Sequence, residues 1–247
     1  MRANLPDTTL VDVSDTRVEA VVFDYGLTLV TFAFPRDELV VAMDGVRGLL
    51  GPGAPSAESL VEDVLLPLDA GLSALDGLDE VDYHAYFADG WRRAGFDLDA
   101  GTLYRILDAE QRCWDGAARL VPDAVPTLDA LRGRGVKVGL CSNAPFPPEM
   151  IRRQLDHVGV AARADAIVLS SDVGRRKPAP EIYRAVLDAL GTPAARTLFV
   201  GDQAAEDYDG PRRVGMPAVL CTAHARHAPP PGVPTVPRLQ SVLETVA

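Results

Sequence analysis

Near its N-terminus the chain reads VEAVVFDYGLTL, from Val18 to Leu29. The apolar run that ends at Phe23 is short and rich in β-branched residues, which is typical of a strand buried on both faces of a parallel sheet. Because a carboxylate is costly inside a core, we expect Asp24 to lie at the carboxyl end of this strand, at the mouth of a crevice. Asp is also a common turn former after strands, so this stretch alone does not distinguish a reaction site from a turn.

The composition indicates a globular protein that does not bind nucleic acid. The chain has 247 residues, of which 47% are hydrophobic and 24% charged, and this is enough for one large domain or two small ones. Its formal net charge is −11, whereas the phosphates of nucleic acid select basic surfaces. An anionic small molecule stays compatible with this charge, because a metal ion or a local cation can reverse the field inside a crevice.

The sequence also favours a soluble, cytoplasmic protein without a membrane partner. Residues 1–15 are polar and lack the apolar segment of a secretory signal, and we expect residues 1–16 to form a loose leader. No uncharged apolar run is long enough to cross a bilayer. The three cysteines are scattered, which favours buried thiols in a reducing compartment over a disulfide framework or a thiolate metal site.

The chain has two parts that differ in the spacing of their apolar residues. Residues 35–116 show helical spacing of their apolar side chains and predict an all-helical insert. After Pro122, β-rich runs alternate with helical segments, which implies parallel strands joined by right-handed crossovers. The sequence therefore predicts an α/β fold with a Rossmann-like, three-layer parallel sheet core formed by residues 1–34 and 117–247. The later predicted strands are Val136–Cys141, Ala166–Leu169, Thr197–Val200 and Pro217–Leu220, and the predicted helices are Ser56–Leu66, Glu80–Ala94, Asp99–Trp114, Val125–Arg132, Pro148–Val158, Pro180–Leu190 and Leu239–Val246.

Polar residues lie where the predicted strands of the α/β part end or just beyond. In an open parallel sheet these positions lie side by side, above the crevice where ligands bind. One hydroxyl, one ammonium and several carboxylates should therefore face a common point. In chain order the residues are Asp24, Ser142 with Asn143, Lys177 at the expected start of a helix, Asp202 after Gly201, and then Glu206 and Asp207.

Such a cluster favours phosphoryl transfer assisted by a metal ion. Crowded carboxylates need a cation, and ligation by oxygen alone suits Mg²⁺. We expect Lys177 and the Ser142 hydroxyl to hold an anionic substrate, with Asn143 and Arg176 as further substrate-binding candidates. Asp24 would be the nucleophile and would form an aspartyl-phosphate. Phosphoryl transfer depends on this kind of electrostatic clamping and on an in-line nucleophile.

Taken together, the four segments resemble the four motifs of the haloacid dehalogenase (HAD) superfamily. The resemblance covers nearly everything after residue 17, and the motifs stand in the right order and in the right strand contexts. It implies that Asp24 is the nucleophile and Thr28 the threonine of the first motif. Ser142 then matches the second motif and Lys177 the third. The insert at residues 35–116 stands where the family has its cap domain.

The resemblance also implies a set of metal ligands. Asp24, the backbone carbonyl of Gly26 and the side chain of Asp202 would hold Mg²⁺. Asp207 would be either a further ligand or a partner that supports the ligands. The implied reaction is hydrolysis of a small phosphorylated metabolite.

One position departs from the family pattern. Phosphatases of this family have a second Asp two positions after the nucleophile, which protonates the leaving group and then activates water, and here that position is Gly26. General acid–base catalysis contributes about 10²–10⁴-fold, so an ordinary alkyl phosphate should be a poor substrate. The missing proton would then come from the insert or the substrate, or the leaving group would need none.

Two other functions stay open on the sequence, a dehalogenase and a binding protein, while a third, phosphonate cleavage, is disfavoured. The haloacid dehalogenases of the family also lack the second Asp, but they lack the Gly-Asp of the fourth motif as well, and Asp202 is present here. The phosphonate-cleaving branch needs a lysine in its cap, whereas the two lysines of this chain are Lys137 and Lys177. The remaining alternative is a family member with a weakened site and a binding role.

Overall fold

A parallel sheet forms the centre of the molecule, which is known from a computed structural model that describes residues 17–246. The strands in this part of the chain are β1 (Ala20–Phe23), β2 (Val30–Phe32), β3 (Ala118–Leu120), β4 (Lys137–Ser142), β5 (Ala166–Leu169), β6 (Thr197–Gly201), β7 (Ala218–Cys221) and β8 (Thr235–Val236). Within the described residues, six strands pair in the order β5-β4-β1-β6-β7-β8, and all neighbours are parallel. The order changes direction beside β1, which is where ligands bind in such sheets.

Helices cover both faces of this sheet. The helices in the described residues are α1 (Arg36–Val46), α2 (Ala57–Leu60), α3 (Leu66–Ser73), α4 (Tyr83–Arg93), α5 (Ala100–Ala117), α6 (Ala124–Gly133), α7 (Pro148–His157), α8 (Ser170–Val173), α9 (Pro180–Leu190), α10 (Gly210–Arg213) and α11 (Val242–Thr245). Because side chains alternate along a strand, Val21 and Phe23 of β1 pack with α6, α7 and α11, while Ala20 and Val22 pack with α9. The predicted three-layer α/β fold is confirmed.

Helices α1 to α5, residues 36–117, form the helical insert. They share a hydrophobic cluster that includes Leu39, Met43, Phe87 and Trp91, with Met150 of α7 as a contribution from the sheet side. A two-stranded antiparallel pair, β2 with β3, carries the chain into the insert and out of it. The insert therefore has its own hydrophobic cluster, and the chain enters and leaves it through the neighbouring strands β2 and β3.

Side-chain caps explain where two of these helices begin. The side chain of Asp82 accepts a hydrogen bond from the backbone N–H of Ala85 at 3.1 Å, and α4 starts at the next residue. Asp99 accepts in the same way from Thr102 at 2.9 Å, at the start of α5. Such caps satisfy backbone donors that have no partner within the helix. The helix predicted to start at Asp99 therefore begins at this cap.

Most predicted elements lie within two residues of the observed ones, and the exceptions have physical causes. Strand Ala166–Leu169 and helix Pro180–Leu190 match at both ends. The helix predicted over Ser56–Leu66 continues to Ser73 through a π-helical turn, Val61–Leu65. Lys177 was expected to open a helix, and this is wrong, because α9 begins at Pro180, where proline supplies a favourable first turn.

Several short elements were not predicted. Strand β3 has three residues and β8 has two, too few to show an alternating pattern. Strand β8 lies within the proline-rich stretch 228–237. The end of the described chain is a 3₁₀ turn, Leu239–Ser241, followed by the short α11 rather than one helix. The leader predicted for residues 1–16 lies outside the described residues.

The described helices also bear on the membrane prediction. Within residues 17–246, every helix is too short or too polar to cross a bilayer.

An acidic residue is buried in the helical insert. Glu110 of α5 is 8% exposed, and its Oε2 atom has no hydrogen-bond partner. Burial, with a smaller contribution from Asp69, raises the pKa of Glu110 from 4.5 to about 8. Near neutral pH the folded protein therefore holds a proton at Glu110 that the unfolded chain has released.

We expect the Glu110→Gln variant to become more stable relative to the unchanged protein as the pH rises. Between pH 4.5 and about 8 the folded state binds more protons at Glu110 than the unfolded state, so the free energy of unfolding falls as pH increases in that window. The variant lacks this loss, which amounts to roughly 1.4 kcal/mol for each pH unit of the window. Urea unfolding of both proteins at several pH values measures it, and parallel curves would contradict the assignment.

Candidate active site

The carboxyl ends of β1, β4 and β6 meet at one cavity. Its volume is about 460 Å³, and the residues that follow these strands, including Asp24, Ser142 and Asp202, line it. The backbone N–H of Asp24 donates to the carbonyl of Val200 in β6 at 2.9 Å, which fixes the turn after β1. These segments are far apart in the chain, and the parallel sheet brings them together as predicted.

Lys177 is the central cation of the site. Its Nζ donates to Oδ1 of Asp24 and to Oδ1 of Asp207, both at 2.7 Å, and the residue is 3% exposed. Burial alone would lower the pKa of Lys177, but the carboxylates of Asp207 and Asp24 raise it well above its ordinary value. Lys177 therefore stays charged and holds the carboxylate of Asp24 in a fixed position at the cavity.

Asp207 accepts hydrogen bonds from Lys177 and from the turn that carries Asp202. Its Oδ2 accepts the backbone N–H groups of Asp202 at 3.0 Å and Gln203 at 2.9 Å, while its Oδ1 accepts Lys177. A Cβ atom on Gly201 would lie 2.3 Å from Cγ of Asp207, so only glycine leaves room for this side chain. These contacts fit the supporting role left open for Asp207, in which it positions Lys177 and the turn that carries Asp202.

Asn143 connects two loops around the site. Its Nδ2 donates to the carbonyl of Lys177 at 3.2 Å and to Oε2 of Glu206 at 3.0 Å, and its Oδ1 accepts the N–H of Lys177 at 2.7 Å. The side-chain amide is thus largely used within the protein, although Asn143 lines the cavity. These bonds fit a positioning role for Asn143 better than the predicted contact with substrate.

Two other predicted residues differ in their location. Ser142 is 6% exposed and lines the cavity, as expected for a residue that holds an anion. Arg176 is not among the cavity-lining residues, and its backbone N–H donates to the carbonyl of Leu78 in the helical insert at 2.8 Å. Its proposed role in binding substrate therefore has no support from its position.

The donor set fits a divalent cation that prefers oxygen. Carboxylate oxygens of Asp24, Asp202 and Asp207 lie within 4.8 Å of one another, and Gly26 lines the same cavity. Burial, with the nearby charges of Asp24 and Asp207, raises the pKa of Asp202 to about 7. Burial also raises the pKa of Asp24, against the lowering effect of Lys177. One ammonium does not balance these carboxylates, and Mg²⁺ bound by oxygen ligands would.

The structure adds residues that the sequence did not single out. Leu27 lines the cavity with φ at 59°, in the left-handed region that a side chain rarely adopts, so the turn after Asp24 is strained. Arg226 and His227, on the loop after β7, line the same cavity. No motif marks this loop, because its proline-rich sequence indicates only extended backbone.

Comparisons with known proteins give a family match over most of the chain. Residues 18–215 match the family model described as "haloacid dehalogenase-like hydrolase". The chain is 32% identical over 190 residues to phosphoglycolate phosphatase of Rhodospirillum rubrum, an alignment that covers 74% of this chain and 78% of that protein.

Solved structures show the same fold. A HAD phosphatase from Thermococcus onnurineus is 21% identical with a TM-score of 0.65, and the match covers 93% of this chain and 98% of that one. An L-2-haloacid dehalogenase from Xanthobacter autotrophicus is 20% identical with a TM-score of 0.59, and the match covers 93% and 98%.

We expect the Gly201→Ala variant to lose both stability and activity. The added methyl group would displace Asp207, and with it Lys177 and the turn that carries Asp202. Gly133→Ala is the matched control, since a Cβ atom at Gly133 meets nothing within 4 Å. Thermal unfolding and turnover of both variants measure the difference. Equal behaviour of the two variants would show that the close approach of Asp207 to Gly201 is unimportant.

Proposed function

Because the chain belongs to the haloacid dehalogenase-like hydrolases, we propose that it is a magnesium-dependent phosphohydrolase that acts on a small phosphorylated metabolite. The observation that carries the proposal is the pair of hydrogen bonds that Lys177 makes to Asp24, which lines the cavity, and to Asp207 behind it. The arrangement supports a nucleophile held beside a cation that can also contact a bound phosphate. The similarity to a phosphoglycolate phosphatase agrees with this reaction class.

In the proposed reaction Asp24 is the nucleophile. One oxygen of its carboxylate attacks phosphorus, the bond from phosphorus to the leaving oxygen breaks, and the electron pair stays on the leaving group. Water then cleaves the aspartyl-phosphate to inorganic phosphate and restores the carboxylate. Because Lys177 binds Oδ1, the other oxygen, Oδ2, is the one available for attack.

The remaining groups hold the phosphoryl oxygens and balance their charge. Ser142 would donate its hydroxyl and Lys177 its ammonium. Asp24, Asp202 and the carbonyl of Gly26 would bind Mg²⁺. When bound, the ion supplies electrostatic stabilisation of the charge that develops on the transferring group. Asp207 and Asn143 position these residues through the hydrogen bonds described above.

We propose that the helical insert is a separate cap domain that closes over the cavity. Arg153 of α7 donates to Asp108 at 2.6 Å and to Asp115 at 2.7 Å, and both acceptors lie on α5. The N–H of Glu80 also donates to the carbonyl of Gly174 at 3.0 Å, near Lys177. The sheet side also gives Met150 and the partly buried Phe146 to the hydrophobic cluster of the insert. An interface of this mixed polar and apolar kind fits two bodies that can move apart.

A dehalogenase is the second candidate because Gly26 leaves no acid beside the nucleophile. Dehalogenation would need no metal ion, so it would leave the carboxylate of Asp202 at the cavity without a role. The two reactions also differ in their products. Halide released from a 2-haloacid without a metal ion would support dehalogenation, while phosphate released only in the presence of Mg²⁺ supports the proposed function.

We expect beryllium fluoride to bind in a Mg²⁺-dependent manner, since it imitates an acyl-phosphate on Asp24. Titration calorimetry with and without Mg²⁺ measures the binding. The Asp24→Asn variant, which has nearly the same shape, should abolish it. Without an acid or base at Gly26 the real intermediate should also be long-lived. If the analogue does not bind in the presence of Mg²⁺, the phosphoryl-transfer proposal fails.

We expect the Gly26→Asp variant to raise turnover of simple alkyl phosphates by tenfold or more, since general acid–base catalysis contributes about 10²–10⁴-fold. The position has room, because the nearest atom to an added Cβ is Cε2 of Phe32 at 4.0 Å. Gly26→Asn is the control, since it has nearly the same shape as Gly26→Asp without the acidic proton. Phosphate release from glycerol phosphate is the measurement. A gain in both variants, or in neither, would contradict the role given to this position.

A further inference from the structure

A second cavity adjoins the proposed reaction site. Its volume is about 300 Å³, and it lies between the sheet and the helical insert. The two cavities share Gly26, Phe32, Ser142, Asn143 and Arg226 in their linings, so they meet at the turn after Asp24. A group bonded to a phosphate held at Asp24 would therefore extend into the second cavity.

Aromatic side chains form much of the wall of this second cavity. The rings of Tyr25 and Phe32 meet edge to face at 6.1 Å, and those of Phe32 and Trp114 at 6.4 Å. Phe146 adds a further ring to the lining. Aromatic faces held in this way favour contact with a flat, apolar ligand. The volume is at the lower end of the range for small-molecule sites, which suits a single ring.

Two polar groups in this wall have no partner among the described residues. Gln111 is 2% exposed and its Nε2 makes no hydrogen bond, and Tyr25 is 6% exposed and its hydroxyl makes none. Both residues line the second cavity. Buried polar groups almost always have a partner, so an unpaired amide and an unpaired hydroxyl on residues that line a cavity indicate a ligand that supplies an acceptor.

The charges of the lining bear on the charge of that ligand. Asp69 and Arg226 are the charged residues among the described ones that line the second cavity, and they have opposite signs. The wall therefore carries no net charge and offers no excess cation for an anionic leaving group. Asp69 is also the one carboxyl group that the insert contributes to this lining.

We propose that the second cavity binds the leaving group, and that the leaving group is a neutral aromatic ring bonded directly to the phosphoryl oxygen and carrying a hydrogen-bond acceptor for Gln111 and Tyr25. This inference rests on the proposed phosphohydrolase function. When Asp24 attacks, the phosphorus–oxygen bond breaks and the electron pair stays on the aryl oxygen. The resulting phenolate takes a proton from solvent after release. Such a leaving group needs no acid at position 26, which explains why glycine suffices there.

The test compares kcat/KM for 3-acetylphenyl phosphate, 3-chlorophenyl phosphate, glycerol phosphate and phosphoglycolate. The two aryl esters have leaving groups of similar acidity, but only the acetyl group is a strong acceptor. We expect the aryl esters to exceed the alkyl esters by about 100-fold or more, the lower end of what an acid contributes. We expect the acetyl ester to exceed the chloro ester by about tenfold, as for a hydrogen bond to a buried partner.

The variants separate the cavity from the phosphate site. In Gln111→Leu the ratio of the acetyl to the chloro ester should fall to about one, and in Tyr25→Phe it should fall in the same direction. Gln240→Leu is the matched control, because Gln240 is exposed and belongs to neither cavity lining, and it should keep the ratio. Circular dichroism and Mg²⁺-dependent binding of beryllium fluoride check that each variant is folded with an intact phosphate site.

Three outcomes would overturn the proposal. Alkyl esters turned over as fast as aryl esters would remove the need for a good leaving group. If Asp69→Asn then abolished that activity, Asp69 would be the missing acid. If Gln111→Leu leaves the ratio of kcat/KM for the acetyl and chloro esters unchanged, Gln111 does not bind the acceptor of the ligand. If beryllium fluoride binds but the expected ester ratios are not observed, the proposed function stands and only this inference is wrong. If beryllium fluoride does not bind, both are wrong.

Discussion

The buried contact of Lys177 with Asp24 and Asp207 is the constraint on which the rest of the site depends. It joins residues that are 153 and 30 positions apart in the chain. Removing one partner of a buried ion pair leaves an uncompensated charge, which typically costs about 3–5 kcal/mol. The three side chains must therefore come together or the fold loses a large part of its stability. Because of this coupling, the position of Asp24 depends on the whole sheet and not on its own turn alone.

Backbone groups transmit that constraint to the neighbouring loops. Asp207 also accepts the N–H groups of Asp202 and Gln203, and Asn143 binds both N–H and C=O of Lys177. The turns after β4 and β6 and the loop before α9 are thus held by the same few side chains. A change at any of them would shift the side chains of the candidate site together, because these loops share the same hydrogen bonds.

Sequence patterns were sufficient for the sheet and for the residues at its edge. Strand β1 and the residues after it could be predicted because a parallel sheet imposes both a buried apolar run and a shared edge. The hydrogen-bond partners of the site residues could not be predicted. Those of Asn143, for example, depend on how closely two loops approach each other. The left-handed conformation of Leu27 is equally hidden, since leucine does not signal a positive φ. Arg226 and the second cavity lie where surfaces from distant segments meet, and local periodicity carries no information about such surfaces.

The departure at Gly26 is better understood as a change in chemistry than as decay of the site. A protein that only bound a ligand would gain stability if the buried cluster of Lys177, Asp24 and Asp207 were replaced by apolar side chains, because the desolvation of buried ions is costly. The cluster is present, it is almost fully buried, and the strained Leu27 holds the turn beside it. Strain and buried charge of this kind persist where geometry matters for a reaction. Under the proposed function, what Gly26 removes is the proton source alone, and the proposed aryl leaving group against the aromatic wall would need none.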